Sequence, residues 1–187
     1  MAVSESTLVK GLPSNVDAER SVLGAILLDN SAYNQAGALL RPEDFSLDSH
    51  RRIYLRITEL AERSRPIDLV TLSEELMRHN ELEAIGGAST VSSLTDGLPR
   101  LSNIEHYAKI VKDKSLLRRL IHVSNNIATR CVEGSDEAEE ILDEAEAQVL
   151  SVGEQRIRGR QQHDQAKDSF HGWVPRRLEK HPVTYSV

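Results

Sequence analysis

Apolar residues near the start of the chain recur at steps of three and four, the spacing of one face of an α-helix. The clearest run follows Pro13-Ser14-Asn15, which offers a helix cap. Asp17 and Glu19 lie in the first turn of this predicted helix, where acidic side chains are favourable. Gly24 lies inside this predicted helix, although glycine costs about 1 kcal/mol there relative to alanine. We therefore expect the backbone at Gly24 to pack closely against another element. The apolar face contains Ala18, Val22, Leu23, Ile26 and Leu27.

Turn residues divide the following segment, up to about residue 100, into further short helices. The third of these has Ile53, Ile57, Leu60 and Ala61 turned inward, and the fourth opens with the capping-box spacing Thr71-x-x-Glu74. Together the helices predict a small globular helical domain at residues 13–100, after a flexible leader at 1–12. The predicted limits are Asn30-Ser31 and Arg41-Pro42 for the second helix, Asp48 and Arg63 for the third, Thr71 and His79 for the fourth, and Gly86-Gly87 and Gly97 for the fifth.

Two long helices are predicted after residue 100. Ser102-x-x-Glu105 has capping-box spacing and opens a helix that neither glycine nor proline interrupts before Gly134. About 30 residues at 1.5 Å each give a length of roughly 45 Å. A second helix follows and ends near Val152, so residues 101–153 are predicted to form a long antiparallel helical hairpin.

The apolar seam of this hairpin is weak, because Lys114, Ser124 and several alanines interrupt it. A hairpin with so little apolar volume should be marginal alone, so we expect it to pack against another molecule. The alternative is that it folds back on residues 13–97. Cys131 is expected to be a small buried residue of the seam. The predicted oligomer or partner interface contains Leu117, Ile121, Leu142, Ala145 and Val149.

The search for reactive or ligand-binding residues finds no catalytic, cofactor or metal site. The sequence contains no Gly-x-x-x-x-Gly-Lys-Ser/Thr loop that would hold the phosphates of a nucleotide. No two of the seven histidines lie three to five residues apart, and the single cysteine cannot form an internal disulfide. No apolar run is long enough to span a bilayer, so we expect a cytoplasmic protein without membrane contact.

Charge is unevenly distributed along the chain. Residues 154–187 contain seven Lys and Arg against four acids, which gives this tail a net charge of +3. Because the whole chain has a net charge of −6, residues 1–153 have a net charge of −9. Nucleic-acid binding needs a concentrated basic surface, which an acidic body does not provide. The charge pattern therefore favours protein partners over nucleic acid.

Several motifs resemble, in the same order, the N-terminal part of bacterial replicative DNA helicases of the DnaB type. The resemblance covers about residues 12–153, with one local departure at Thr90-Val91, where the family often has Tyr-Leu. The motifs are Glu19-Arg20-Ser21-Val22-Leu23-Gly24-Ala25-Ile26-Leu27, Arg41-Pro42-Glu43-Asp44-Phe45, Pro66-Ile67-Asp68-Leu69-Val70-Thr71-Leu72, Glu81-Leu82-Glu83-Ala84-Ile85-Gly86-Gly87, Asn103-Ile104-Glu105-His106-Tyr107-Ala108 and Ile110-Val111-Lys112-Asp113-Lys114.

The resemblance implies a helical domain and a hairpin that pairs into dimers, three of which form a collar above a hexameric motor. It also implies the C-terminal domain of primase and a helicase loader as partners. In that family, ATP and magnesium belong to a RecA-like motor domain that unwinds DNA in the 5′ to 3′ direction. That domain should follow a linker near residue 160 and does not follow here, so this chain is predicted to be no enzyme and to bind no cofactor.

Three functional interpretations remain open at this point. The chain is a piece of a replicative helicase that retains assembly and partner docking, a stand-alone adaptor or regulator of the helicase ring, or a helical DNA-binding module. The acidic body argues against the third. Residues 154–187 show no helical or strand period, so we expect them to be disordered. From about Arg158 onward we expect the product of a frameshift or premature junction, which would make this a truncated form.

Overall fold

The computed structural model describes residues 11–98, 103–134 and 137–153, and every regular element among them is a helix. This confirms the predicted all-α class. Most of the predicted leader and all of the predicted disordered tail lie outside the described residues. The elements are α1 Val16–Leu28, α2 Ser31–Leu39, the 3-10 turn η1 Pro42–Asp44, α3 Asp48–Glu62, α4 Leu69–Arg78, α5 Gly87–Ser93, α6 Ile104–Glu133 and α7, residues 138–153.

We call residues 11–98, with α1 to α5, the head, and the pair α6 and α7 the hairpin. Within the head, α1 is the central helix. Val22, Leu23 and Ile26 have no exposed surface, and α2, α3 and α6 all pack against this helix. Phe45 and Tyr54 extend the core, with ring centroids 4.7 Å apart. Burial of one large apolar side chain contributes about 1.5–3 kcal/mol, so the head contains most of the apolar stabilisation.

Side-chain caps determine where two helices of the head begin. Asn15 Oδ1 accepts the Ala18 N–H at 2.9 Å, as the sequence predicts for α1. The predicted start of α4 is wrong, because the cap is Asp68 and the helix begins at Leu69. The Asp68 carboxylate accepts two N–H groups, including that of Thr71 at 2.8 Å, while Thr71 Oγ1 accepts the Asp68 N–H at 3.0 Å. A carboxylate that satisfies two free N–H groups is the better cap.

At Gly24 the backbone of α1 lies close to the segment that follows α5. A Cβ at this position would overlap the carbonyl oxygen of Leu94 and lie 2.5 Å from Leu98 Cδ1. Glycine is required here because any side chain would separate the two segments. The predicted close packing contact at Gly24 is confirmed.

The hairpin is anchored to the head only at its base. The first part of α6 packs on α1, α2 and η1. After Ser115 no residue of α6 is buried, and Val152 is the one buried residue in the described part of α7. The hairpin therefore meets the head through the residues of α6 up to Arg119 and through the end of α7, and its outer part does not fold back over the head. The buried residues of α6 are Ile104, Ala108, Val111 and Ser115.

Candidate assembly surface and its junction with the head

Four of the five residues predicted as an interface lie in the part of the hairpin that extends from the head, while Leu117 lies in the stretch of α6 that meets the head. The side chains of Leu117, Leu142 and Val149 are 44%, 57% and 50% exposed, while Ile121 and Ala145 are half-buried. Other large apolar side chains of the hairpin are also exposed, among them Leu150 at 66%. Within a single copy, no described segment covers this apolar surface. Its role as an interface stays a prediction.

Polar contacts join the two helices of the hairpin along its outer half. Arg130 of α6 forms an ion pair with Glu144 of α7, and Asn126 Nδ2 donates to Gln148 Oε1 at 3.4 Å. A surface cavity of about 470 Å³ lies between the helices at this level. Exposed ion pairs contribute only about 0–1 kcal/mol, so these contacts align the helices more than they stabilise them. The cavity is lined by His122, Val123, Asn125, Asn126, Thr129 and Gln148.

Cys131 corrects one sequence prediction. It was expected to be a small buried residue of the seam, but its side chain is exposed. The reason is its position near the end of α6, where Val132 is also 87% exposed. At this distance from the head only α7 is available as a neighbour, and it covers one side of α6.

The junction between head and hairpin is built around Asp44, the last residue of η1, which has no exposed surface. Its carboxylate accepts hydrogen bonds from Lys112 Nζ at 2.8 Å, Ser115 Oγ at 2.7 Å and Arg119 Nη2 at 3.3 Å. The Arg41 N–H donates to Oδ2 at 2.8 Å. Three donors on successive turns of α6 therefore meet one carboxylate of the head.

Arg118 makes a second connection at the same level. One of its terminal nitrogens donates to the carbonyl oxygen of Pro13 at 2.8 Å and the other to the carbonyl oxygen of Asp44. Burial lowers the pKa of the Arg118 guanidinium, although the carboxylates of Glu19 and Asp44 oppose this. We call Asp44 with Lys112, Ser115, Arg118 and Arg119 the junction.

A second buried carboxylate, Glu19 of α1, lies beside the junction. Its Oε1 accepts the Ser46 N–H at 2.7 Å, and its Oε2 lies 2.9 Å from His50 Nδ1. Both side chains are less than a tenth exposed. Burial raises the pKa of Glu19, but the hydrogen bonds from His50 and Ser46 outweigh it and hold the pKa below its ordinary value of 4.5. The folded head therefore favours the ionised form of Glu19.

Sequence reasoning did not identify the junction. Asp44 and Lys112 belong to two separate motifs of the family resemblance, and neither motif indicates that they are in contact. They are 68 residues apart in the sequence. A local signal was nevertheless present in α6. Ile104, Ala108, Val111 and Ser115 form a face of small and β-branched residues at helical spacing, which indicates close packing on another element.

One group of possible metal ligands occurs among the described residues. Glu59, Glu75 and His79 each offer a possible metal-ligand atom within 4.8 Å of the others. Arginines already occupy these carboxylates, however, since Arg63 Nη1 lies 2.9 Å from Glu75 Oε1 and Arg56 Nη1 lies 2.8 Å from Glu59 Oε2. We therefore assign no metal to this cluster.

Comparison with known proteins identifies the family. A model of the DnaB-like helicase N-terminal domain matches residues 11–113, which is more than half of the chain. The crystal structure of the N-terminal domain of DnaB helicase from Mycobacterium tuberculosis is similar, with a TM-score of 0.70 and 37% identity over 74% of this chain and 98% of that chain. The chain belongs to the DnaB-like helicase N-terminal domain family.

Curated relatives show how much of a DnaB-type helicase the chain spans. The replicative DNA helicase DnaB of Geobacillus stearothermophilus is 41% identical over 147 residues, which are 79% of this chain and 32% of the relative. The replicative DNA helicase DnaC of Bacillus subtilis is 42% identical over 144 residues, which are 77% of this chain and 32% of the relative. The chain thus spans about a third of the length of these relatives.

The DnaB-like fold also appears in a more distant structure. The structure of a DnaB-like replicative helicase, reported with its interactions with primase, has a TM-score of 0.59 and 22% identity, over 74% of this chain and 31% of that chain. At this identity the likeness shows the fold alone. No described helix has the length and apolar content that crossing a bilayer would require.

Proposed function

We propose that this chain acts in the assembly of a replicative helicase by associating with further copies through its hairpin. The observation that carries the proposal is the exposure of Leu117, Leu142 and Val149 on a hairpin whose outer half has no buried residue. Several large apolar side chains exposed along one element are a feature of surfaces that bind another protein. Each such side chain contributes about 1.5–3 kcal/mol when a partner removes it from water.

The charge layout of the hairpin limits how two copies can associate. Residues 137–146 contain six acids and no Lys or Arg, so the outer end of α7 is acidic. Residues 104–119 contain five Lys and Arg against two acids, but Lys112, Arg118 and Arg119 already bond to Asp44 and to carbonyl oxygens of the head. Because like charges in contact disfavour association, we expect the copies to meet through the apolar side chains, with the acidic ends kept apart.

Light scattering on the full chain tests self-association. Replacement of Ile121 and Leu142 by Asp should shift a dimer to a monomer, because two charges would have to be buried in an apolar interface. Val70→Asp is the matched control, since Val70 is a 76% exposed apolar residue of the head and its substitution should leave the dimer intact. A wild-type chain that is monomeric at tens of micromolar would contradict the proposal.

We further propose that the same region docks the C-terminal domain of the cognate primase and that it supports association with a helicase loader. The support is the family, together with a DnaB-like structure reported with its interactions with primase, and the acidic surface of α7. Titration calorimetry with that primase domain should give a saturable binding signal that the Ile121→Asp, Leu142→Asp variant weakens. No heat and no co-elution at high micromolar concentration would count against docking.

The proposal includes no ATP hydrolysis and no DNA unwinding by this chain. Its sequence has no phosphate-binding loop, so neither phosphate binding nor magnesium placement is provided in the usual way. A steady-state ATPase assay with and without single-stranded DNA should show no turnover that follows the protein through purification. Direct DNA binding is not expected either, because the net charge of residues 1–153 is −9.

A further inference from the structure

Both helices of the hairpin meet the head at Asp44. Lys112, Ser115 and Arg119 of α6 donate to its carboxylate from distances of 2.7–3.3 Å. Val152, near the end of α7, lines the same small cavity of about 40 Å³ as Asp44 and these three residues. The carboxylate therefore lies where the outgoing helix leaves the head and the returning helix arrives.

The charges at this point make the carboxylate difficult to replace. Lys112 and Arg119 are both cations, and Asp44 is the acceptor that they share. Without the carboxylate, two like charges would face each other beside the buried hydroxyl of Ser115, which would lose its acceptor. Lys112 and Arg119 are partly exposed and can turn towards solvent, but the hydroxyl of Ser115 is buried and can reach water only if α6 moves away from the head.

The apolar contacts at the base of α6 do not fix this direction in the same way. Ala108 and Val111 pack α6 on the head, but they lie on its first two turns, so the direction of the helix beyond them depends on contacts further along. Hydrogen bonds to a carboxylate are directional, and charged ones are shorter and stronger than neutral ones. Three of them, from residues spread over two turns of α6, define an orientation as well as a position.

We propose that Asp44 is the positioning residue of the hairpin, which sets the direction in which α6 and α7 leave the head and so the geometry in which two copies pair. The direction of the hairpin is independent of the proposed function, whereas the geometry of pairing rests on it.

The outer part of the hairpin amplifies any change of direction at the junction. Cys131 lies 16 residues beyond Ser115, which is about 24 Å along the helix axis. A rotation of roughly 15° at the junction would therefore move Cys131 by about 6 Å.

A distance between two spin labels on the full chain tests the direction of the hairpin. Cys131 is exposed and is the single cysteine of the chain, so it takes one label without further substitution. Val70→Cys provides the second label, on α4 of the head, at a position that is 76% exposed. Labelled protein is diluted with unlabelled protein, so that the distance measured lies within one copy.

Wild type should give one narrow distance distribution. Asp44→Asn keeps the size of the side chain but removes its charge, and it should shift or broaden the distribution, by about 6 Å for a rotation of roughly 15°. Asp48→Asn is the matched control, because Asp48 is a carboxylate of the same region that binds Arg51 and Arg52 on the surface and does not contact the hairpin. It should leave the distribution unchanged.

A second variant keeps the test decisive if Asp44→Asn does not fold. Lys112→Met with Arg119→Met removes two donors from α6 and leaves the core of the head intact, and it should broaden the distribution in the same sense. Unchanged distributions in folded Asp44→Asn or in the double variant would overturn the inference.

Self-association of the same variants separates this inference from the proposed function. The dissociation constant of the dimer should rise roughly tenfold or more in Asp44→Asn, because a hairpin with several directions must be ordered on association. If wild type proves monomeric, the proposed self-association fails, while the distance measurement still decides whether Asp44 positions the hairpin. An altered distance with an unchanged dissociation constant would overturn the link to pairing.

Discussion

In the head, Ile26, Ile57 and Leu76 have no exposed surface, whereas in the hairpin Leu142, Val149 and Leu150 are half exposed or more. Both regions are helical and have apolar residues at helical spacing. They differ in the number of neighbours available to each helix, since α1 is surrounded by three others and the outer half of α6 has α7 alone. Apolar periodicity thus predicts that a helix has a partner, but not whether the partner belongs to the same copy.

The largest expected effect compares a buried apolar residue of the head with an exposed one of the hairpin. Ile57→Ala in the head should lower the free energy of unfolding by about 2–5 kcal/mol, since it removes fully buried methyl groups and leaves a cavity. Val132→Ala in the hairpin, at a position that is 87% exposed, should change it by less than about 0.5 kcal/mol. Urea unfolding of the two variants measures the difference, and equal losses would break the comparison.

Two glycines within helices of the head allow a comparison of a tightly packed position with an open one, with smaller expected effects on stability. Gly24→Ala should destabilise by about 1–3 kcal/mol, because the added Cβ overlaps the Leu94 carbonyl and the segments must separate. Gly37→Ala is the matched control, since its nearest neighbour would be a Tyr33 ring atom at 3.4 Å. It should be neutral or stabilise by up to about 1 kcal/mol. Thermal unfolding would contradict this account if both variants behaved alike.

The smallest expected effect concerns the pH dependence of the head. The pKa of Glu19 is lowered in the folded state from its ordinary 4.5, so its contribution to stability is present above that pH and is lost as the pH falls through the lowered pKa. Glu19→Gln should therefore lower the free energy of unfolding by about 1 kcal/mol near neutral pH. The free energy of unfolding of this variant should also fall less steeply than that of wild type as the pH is lowered. Glu139→Gln, on the exposed face of α7, is the control. Parallel acid profiles for wild type and Glu19→Gln would exclude this role.

Features that depend on a few neighbouring residues could be predicted from the sequence. Asn15 caps α1 because its side chain reaches an N–H three residues later, and Gly134 ends α6 with a φ of 62°, which glycine adopts without strain. Gly24 was expected to mark a close contact because a mid-helix glycine needs a reason. Each prediction rests on local geometry.

Features that depend on distant residues could not be predicted in this way. Asp44 meets Lys112, Ser115 and Arg119 across 68, 71 and 75 residues, and no local rule pairs them. Cys131 was wrongly placed in a buried seam because periodicity gives the face of a helix but not what covers it. At α4 two capping patterns overlapped, and the carboxylate of Asp68 was the better cap.

Amide hydrogen exchange of the full chain at low and at high micromolar concentration tests the central claim, which is that the head is complete in one copy while the hairpin is completed by another. The account predicts that protection in residues 117–134 and 137–150 rises with concentration, while protection in α1 and α3 stays constant. Hairpin amides that exchange at the same rate at both concentrations would contradict the claim, as would a concentration-dependent rise confined to the head.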